Sequence, residues 1–203
     1  MNDKFEMSTG QAHEVAMAFG RNDWTNEEIK ALCKGTTLAD VRRVLLGHAV
    51  ITVPEHVIDC DADPFNPWAK EGWVIDEQKG GQYKWDALNP PLLYLDEKEQ
   101  RGGKSIEGKK LRKKLAKDLV KGALLNANVL DYLLKYPHLI PEEWKKDEKG
   151  QTRYIFFWGT VYRYSDGDLC VRDLYWDGGR WLWSSRWLDD DWNDNNPAAL
   201  RAS

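Results

Sequence analysis

The chain has 203 residues, 42% of them hydrophobic, which is enough for one sizeable core or two small ones. A formal charge of −4 excludes an overall basic surface for binding nucleic acid, but the net charge does not exclude local basic patches. The apolar runs are too short to cross a bilayer, and the N-terminus lacks the basic and apolar regions of a secretory signal. Three widely spaced cysteines, Cys33, Cys60 and Cys170, predict free thiols in a reducing compartment, so we expect a cytoplasmic protein without a membrane segment.

Residues 8–47 are predicted to form three short helices. The first begins near Ser8, the second near Thr25 and the third near Thr36, because each hydroxyl can cap the first turn of a helix. Three helices with tight turns also fit a helix-turn-helix that binds DNA, but the segment shows no clear excess of Lys and Arg over Asp and Glu. We favour a small helical bundle at residues 1–50, followed by a second domain at residues 51–203.

Alternating aspartates follow, at Asp59, Asp61 and Asp63, in a pattern typical of the start of a calcium loop. The loop signature is incomplete, because no glycine stands at its sixth position and Lys70 replaces the bidentate glutamate. We expect a polar turn, with neither a metal site nor a cofactor. The alternative interpretation is that Asp59, Asp61 and Asp63 bind a cation.

The middle of the chain is predicted to be β-rich and irregular. A strand is expected at residues 48–53, a hairpin around Gly80–Gly81 that joins strands at 73–75 and 82–85, and a further strand at 92–95.

Residues 104–121 are predicted to form one amphipathic, strongly basic helix. Leu111, Leu115 and Leu119 recur every four residues and form a single apolar stripe. The other faces supply candidate contacts to nucleic acid, namely Lys109, Lys110, Lys113, Lys114 and Lys117. We favour a solvated face over nucleic-acid binding, because no aromatic residue interleaves with the lysines to stack on bases.

The rest of the chain predicts one more helix and then a sheet. The helix runs from Asn126 or Asn128 to Lys135 before Tyr136–Pro137, and a helical turn follows at residues 141–144. Strands are expected at residues 154–164, 169–175, 180–183 and 198–200, with a long loop at 184–196. The predicted class is therefore α+β: an N-terminal helical bundle, then a mixed domain with two or three helices and a C-terminal antiparallel β-sheet.

Five of the eleven tryptophans lie between residues 176 and 192, separated by Asp, Asn, Ser, Gly and Arg. Tryptophan is costly to expose, and the small polar residues between these rings are typical of ligand-binding loops, so residues 176–196 are a candidate binding cassette. The expected ligand-binding residues are Arg180, Trp181, Leu182, Trp183, Ser184, Ser185, Arg186, Trp187, Asp189, Asp190, Asp191, Trp192, Asn193 and Asp194.

Several patterns resemble a family of uncharacterised bacterial proteins whose C-terminal cassette varies around recurring tryptophans. They are LNANVLDYLLKYPHLIPEEWK at residues 125–145, FFWGTVYR at 156–163, VRDLYW and WLDDDWNDNNPAAL. The cassette in turn resembles the variable region of target proteins of diversity-generating retroelements, which rewrite adenines in a template copy. The resemblance implies fixed tryptophans, because the codon TGG has no adenine, and variable Asp, Ser, Gly, Arg and Asn between them. It also implies a C-type-lectin-like fold, although the Gly-Phe-Arg ending common in such domains is absent.

These patterns favour a non-enzymatic protein that recognises a protein ligand through a polar surface framed by tryptophans. One alternative is a nucleic-acid-binding accessory protein that uses the basic helix at 104–121, and a second is a carbohydrate-binding module. We do not expect an enzyme, because the four histidines are scattered and no serine or cysteine lies in a nucleophile motif.

Overall fold

The computed structural model describes residues 6–52, 54–86, 89–118 and 124–201, with the backbone alone for residues 117–118. The chain divides into two compact units, with the boundary between residues 54 and 55. Helices and short strands are mixed, and the sheets are largely antiparallel, which places the protein in the predicted α+β class.

The first unit consists of helices, in agreement with the prediction. Ser8 and Gln11 form a reciprocal capping box at the first helix, and Thr25 and Glu28 form another at the second. None of the described residues in this unit is buried. The helices are α1 (Thr9–Arg21), α2 (Asn26–Leu32) and α3 (Thr37–Leu45).

The second unit begins with five short strands, followed by two helices and six further strands. The first group is β1 (His56–Asp59), β2 (Val74–Gln78), β3 (Gln82–Trp85), β4 (Leu92–Tyr94) and β5 (Ile106–Glu107). The helices are α4 (Gly108–Asp118) and α5 (Ala127–Lys135). The last group is β6 (Tyr154–Phe156), β7 (Thr160–Arg163), β8 (Leu169–Trp176), β9 (Trp181–Trp187), β10 (Asp191–Trp192) and β11 (Ala198–Leu200).

Strand β8 is the centre of the main sheet. Cys170 of β8 lies between Tyr162 of β7 and Trp187 of β9, so these two strands occupy opposite edges of β8. Strand β6 pairs antiparallel with the far end of β8, and β11 joins β6 to β4. Two small sheets complete the unit, one from β1 and β3 and one from β5 and β10.

Two apolar cores lie on the two faces of this sheet. Leu174 of β8 belongs to the core that includes Leu130 and Leu133 of α5, whereas Val171 belongs to the core that includes Leu111 and Leu115 of α4. Alternate residues of a strand point to opposite faces, so one strand contributes to both cores. The predicted stripe of α4 is thus buried at Leu111 and Leu115, while Leu119 lies outside the described residues.

The predicted hairpin around Gly80–Gly81 is wrong. Strands β2 and β3 exist, but β2 pairs with β7 and β3 pairs with β1. Asp61 Oδ1 accepts a hydrogen bond from the Gly81 amide, and the Lys79 amide donates to the Gly159 carbonyl. The glycines therefore redirect the chain between two sheets, which a local turn signal cannot distinguish from a hairpin.

Three other strand predictions need correction. Residues 48–52 contain no strand, and residue 53 lies outside the described part of the chain. The strand expected at 154–164 is interrupted at residues 157–159, where the Gly159 amide donates to the Leu125 carbonyl over 2.8 Å. The loop expected from residue 184 begins later, because β9 continues to Trp187 in register with β8.

Candidate functional site

The cassette begins with a tight turn between β8 and β9. The Asp177 amide donates to the Arg180 carbonyl over 3.1 Å, and Gly178 has a φ of 78°, in the left-handed region that favours glycine. Asp177, Gly178, Gly179 and Arg180 are all exposed. The turn therefore presents its side chains to solvent while its backbone fixes the start of β9.

Residues of β9 alternate between the two faces of the sheet. Trp181 and Trp183 pack against the core that contains α5, as the sequence predicts for two residues on one face. Leu182, Ser184 and Arg186 lie on the other face and are half-buried. Leu182, Ser184 and Arg186 thus share one surface because the strand alternates, whereas Ser185, also half-buried, lies on the face of the tryptophans.

Pairing across β6, β8 and β9 assembles these side chains into a continuous surface. Tyr154 pairs with Tyr175, which pairs with Leu182, and the two tyrosine rings lie 5.3 Å apart. Ser184 is the next residue of β9 on this face, and Arg186 follows it. We name these five residues, Tyr154, Tyr175, Leu182, Ser184 and Arg186, the cassette surface.

Asp173 lies beside Ser184 on the face of the cassette surface, because the two residues are directly paired in the β-ladder. Its side chain is almost completely buried, and Asp173 Oδ1 has no hydrogen-bond partner among the described residues. Burial raises the pKa of Asp173 to about 7, against the opposing effect of the positive charges on Arg186 and Arg172. A buried carboxyl group with a pKa near neutrality therefore lies next to Ser184 of the candidate site.

The predicted tryptophans differ in their exposure. Trp192 is completely buried and lies 4.7 Å from the Trp158 ring, and Trp181 is also buried. Trp183 is half-buried, whereas Trp187 is 39% exposed. Trp181 and Trp192 therefore support the site from within, and Trp187 is accessible to a ligand.

Sequence reasoning missed aromatic residues that support the cassette from a distant segment. Trp68 stacks on Trp73 at 4.4 Å, and Trp68 also contacts Trp183. Trp73 lies 5.2 Å from Trp187, and Tyr164 touches both of these rings. In the sequence, Trp68 and Trp73 stand out as two tryptophans in an irregular segment. Their positions do not indicate that they contact Trp183 and Trp187.

The aspartate triplet, residues 189–191, is exposed, and its loop is held against α4. The first two amides of α4 donate to the loop, Gly108 to the Asp190 carbonyl and Lys109 to the Leu188 carbonyl. Lys109 also forms an ion pair with Asp189, and Asp190 lies 3.8 Å from Arg186 Nε. Because free amides at a helix N-terminus attract acceptors, α4 fixes the position of this loop.

The end of the cassette also separates into exposed and buried positions. Asn193 is exposed, and Asp194 forms an ion pair with Lys149 over 2.7 Å. Asn196 is buried, and its Oδ1 accepts a hydrogen bond from the Asn193 amide. Asn196 therefore shapes the turn before β11 and cannot contact a ligand.

The basic helix is largely neutralised by acidic residues of its own unit. Arg112 contacts both Asp76 and Glu77 within 3.0 Å. Burial opposes the charged form of both carboxyl groups, but Arg163 and Arg112 lower the pKa of Asp76, and Lys79 and Arg112 lower the pKa of Glu77. Lys114 pairs with Asp96 and Glu99.

Two other predicted contacts of α4 are also paired, Lys109 with Asp189 and Lys110 with Glu107. Lys113 is exposed, and the Lys117 side chain lies outside the described residues. These pairs leave little uncompensated positive charge on the described part of the helix for a phosphate backbone.

A cleft of about 490 Å³ lies beside the turn of the cassette. Trp176, Trp181 and Arg180 line it from the cassette, and the opposite wall includes Leu134 and Lys145. The Lys145 ammonium lies 4.0 Å from the centre of the Trp176 ring, so a cation already covers the indole.

The alternating aspartates serve the local backbone. Asp59 Oδ1 accepts a hydrogen bond from the Asp61 amide, and Asp61 Oδ1 accepts one from Gly81. Across the described ranges, no group of three or more His, Cys, Asp or Glu side chains is placed to hold a metal ion.

Within the same ranges, the helices are too short or too polar to cross a membrane. Comparison of the chain with models of protein families, with curated proteins and with solved structures found no match.

Proposed function

We propose that the protein is a non-enzymatic binding protein that recognises a protein ligand through the cassette surface and the adjoining turns. The observation that carries this proposal is the alternation along β9, which buries Trp181, half-buries Trp183 and brings Leu182, Ser184 and Arg186 to one surface. Tyr154 and Tyr175 add aromatic area beside these residues. Aromatic side chains next to small adaptable polar groups are a common composition of protein-recognition surfaces.

We further propose that this surface is diversified by a retroelement. The exposed positions Arg180, Asp189 and Asn193 can change without opening a cavity, whereas replacing Trp181 or Trp192 would remove a large side chain from a core. A mechanism that rewrites adenines cannot change the tryptophan codon TGG. It would therefore vary the exposed positions and leave Trp181 and Trp192 unchanged. Asn196 is an exception, because its codon can be rewritten although its side chain is buried and hydrogen-bonded.

A C-type-lectin-like arrangement of residues 92–200 belongs to this proposal. Its support is the order of elements: β4 pairs antiparallel with the final strand β11, and the intervening chain supplies α4, α5 and the central strands. Such a scaffold holds a variable surface on paired strands, so changes of side chain leave the backbone in place. Packing of α1, α2 and α3 into a bundle is likewise a proposal, supported by their tight connections.

The coding locus tests diversification directly. We expect a reverse-transcriptase gene nearby and a near-identical repeat of the cassette codons, with adenines at the positions between the tryptophans. Sequencing the locus in related isolates should show substitutions at Leu182, Ser184 and Arg186 and invariant tryptophan codons. A cassette that is identical in all isolates, with no template repeat nearby, would contradict diversification.

Recognition is tested by comparing immobilised proteins in pull-downs from extracts of the source cells. The double variant Leu182→Asp/Arg186→Ala should lose the proteins that the wild type retains, because it changes the charge and shape of the cassette surface. A matched control, Val57→Asp/Lys84→Ala, alters exposed residues of the small β1–β3 sheet and should retain them. Equal capture by both variants would refute recognition by this surface.

A glycan array and a duplex-DNA binding assay complete the comparison. Binding of a sugar or of DNA with no retained protein would favour the alternative classes. DNA binding through α4 should in addition weaken steeply with salt.

A further inference from the structure

Strand β9 has an unpaired outer edge. In an antiparallel pair, residues alternate between exchanging hydrogen bonds with their partner and pointing their amides and carbonyls away. The Leu188 amide donates to the Leu169 carbonyl, and the Asp177 amide donates to the Arg180 carbonyl, so the even-numbered residues of β9 bond to β8. The odd-numbered residues therefore direct their amides and carbonyls outward, namely Trp181, Trp183, Ser185 and Trp187.

The outer edge has no strand partner in the described chain. Strand β9 pairs with β8 only, and no described loop donates to or accepts from the backbone of Trp181, Trp183 or Ser185. The Trp187 carbonyl accepts one hydrogen bond from the Asp190 amide within its own turn. Along the outer edge of β9, four residues thus direct their backbone amides and carbonyls outward, and of these groups only the Trp187 carbonyl is hydrogen-bonded within the described chain.

This edge carries few of the usual protections against pairing, and Arg186 is its only charged side chain. Natural edge strands are short, bulged or interrupted by lysine or proline. Strand β9 is seven residues long, runs in unbroken register with β8, and contains neither lysine nor proline. Its composition favours addition of another strand.

We propose that β9 pairs antiparallel with β9 of a second copy of this chain, about a two-fold axis at Ser184. This register places Trp181 opposite Trp187 of the other copy and Trp183 opposite its Ser185. All four outward residues then exchange backbone hydrogen bonds, since each meets another outward residue. A self-complementary edge of this kind forms the closed, isologous interface typical of homodimers.

Charge selects the same register. Arg180 is exposed and forms no ion pair with the described residues, and the two-fold axis places it opposite Leu188 of the other copy, which precedes Asp189 and Asp190 in the chain. Moving the axis to Trp183 would place Arg180 opposite Arg186, and like charges directly opposite are destabilising. Moving it to Ser185 would leave Trp181 without an outward partner in the strand. The register centred on Ser184 therefore satisfies both the backbone and the charges.

The dimer would place two cassette surfaces side by side on one continuous sheet. Two linked sites bind a repeated or clustered ligand more tightly than one site alone. The inference does not depend on the proposed function, because pairing uses backbone atoms and would occur without any ligand.

Disulfide trapping tests the register in the full chain. At the two-fold axis Ser184 faces its own copy in a non-hydrogen-bonded pair, with Cα atoms about 4.5 Å apart, a distance that a disulfide can span. In a Cys33→Ser background, which removes the exposed native thiol, Ser184→Cys should form a disulfide-linked dimer under mild oxidation. The matched control Ser185→Cys faces Trp183 and should stay monomeric on a non-reducing gel. Cross-linking at residue 185 and not at 184, or at neither residue, would overturn the proposal.

Sedimentation velocity tests the edge itself. The wild type should sediment at twice the chain mass of 23.5 kDa, and Ser185→Pro should sediment at the chain mass. Proline removes the outward amide and also the Ser185 hydroxyl, which hydrogen-bonds with the Cys170 thiol; edge strands accept proline there, so the thermal unfolding transition should persist. Ser185→Ala should remain dimeric. A monomeric wild type, or a folded Ser185→Pro variant that is still dimeric, would refute pairing through β9.

Discussion

Asp173 places an ionisable group where water is largely excluded. Its carboxyl group is 1% exposed and has a pKa of about 7, because burial disfavours the charged form more than Arg186 and Arg172 favour it. The folded pKa thus lies above the ordinary value of 3.8. The stabilising contribution of the neutral acid is fully present below the ordinary pKa and is lost as the pH rises through about 7.

Asp173→Asn should therefore stabilise the protein at alkaline pH. We expect the free energy of unfolding to rise by about 1–3 kcal/mol at pH 8 and to change little at pH 4, because the amide does not ionise. Urea unfolding followed by tryptophan fluorescence at both pH values measures the difference. The exposed control Asp177→Asn should show no such pH dependence, and an equal gain at both pH values for Asp173→Asn would contradict our assignment.

Gly159 is required by a close backbone contact. A Cβ atom at this position would lie 2.8 Å from the Leu125 carbonyl carbon and oxygen, where β7 begins and the chain leads into α5. Backbone atoms cannot move aside as the end of a flexible side chain can. The glycine therefore allows the two segments to pack.

Gly159→Ala should cost about 1–3 kcal/mol of stability through overpacking. Gly179→Ala is a matched control, because nothing lies within 4 Å of the added atom, and it should change stability by less than about 0.5 kcal/mol. Thermal unfolding of both variants measures the contrast. Equal stability of the two would show that the Leu125 backbone yields.

At the scale of elements, a buried ion pair joins α5 to β8. Arg172 is 1% exposed and donates two hydrogen bonds to Asp131, of 2.7 and 3.2 Å. The guanidinium also lies 4.5 Å from the centre of the Trp183 ring, and one nitrogen, Nη1, donates to the Phe65 carbonyl. One buried cation thus connects the helix, the central strand and the cassette.

Asp131→Ala should destabilise the protein by about 3 kcal/mol, because it leaves a buried guanidinium without its counter-charge. Glu55→Ala breaks the exposed pair with Lys84 and should cost less than about 1 kcal/mol. Chemical denaturation of both variants gives the two values. A small loss for Asp131→Ala would mean that Trp183 and the Phe65 carbonyl suffice to hold the cation.

At the scale of the whole molecule, the two units differ in how their elements are stabilised. All buried hydrophobic residues of the described chain belong to the second unit, whereas α1, α2 and α3 have no buried residue. Short helices depend on tertiary packing for most of their stability.

A fragment of residues 55–203 should therefore keep a cooperative thermal transition, with a midpoint close to that of the full chain. A peptide of residues 1–54 should unfold gradually and show weak helicity in circular dichroism. A sharp transition in the peptide, or loss of cooperativity in the fragment, would contradict this division of stability.

Elements with local signals could be predicted from the sequence. Helices α1 and α2 begin where Ser8 and Thr25 cap them, and α5 ends before Pro137. Strands β4, β8 and β11 also lie close to their predicted positions. Caps, breakers and alternation act within a few residues, so they are visible in the chain itself.

The pairing of strands could not be predicted in the same way. Gly80–Gly81 indicates a turn, but the partners of β2 and β3 lie about 80 residues downstream and 25 residues upstream. The same limit applies to the cassette, where the support of Trp183 and Trp187 comes from Trp68 and Trp73. Contacts between distant segments depend on whether their packed surfaces are complementary in shape. The hydrophobic periodicity of each segment does not reveal this complementarity.

By itself, the sequence determined most helix limits, most strand positions, the α+β class and the alternation that separates Trp181 and Trp183 from Leu182. The basic helix expected from residue 104 begins at Gly108, because residues 106–107 form β5. Only the tertiary structure decided which face of β9 meets solvent, that Asp173 is buried beside Ser184, and that most lysines of α4 are paired with acidic residues. The physical reason is the range of the interactions. Local hydrogen bonds are encoded in neighbouring residues, whereas burial and charge pairing depend on residues that only folding brings together.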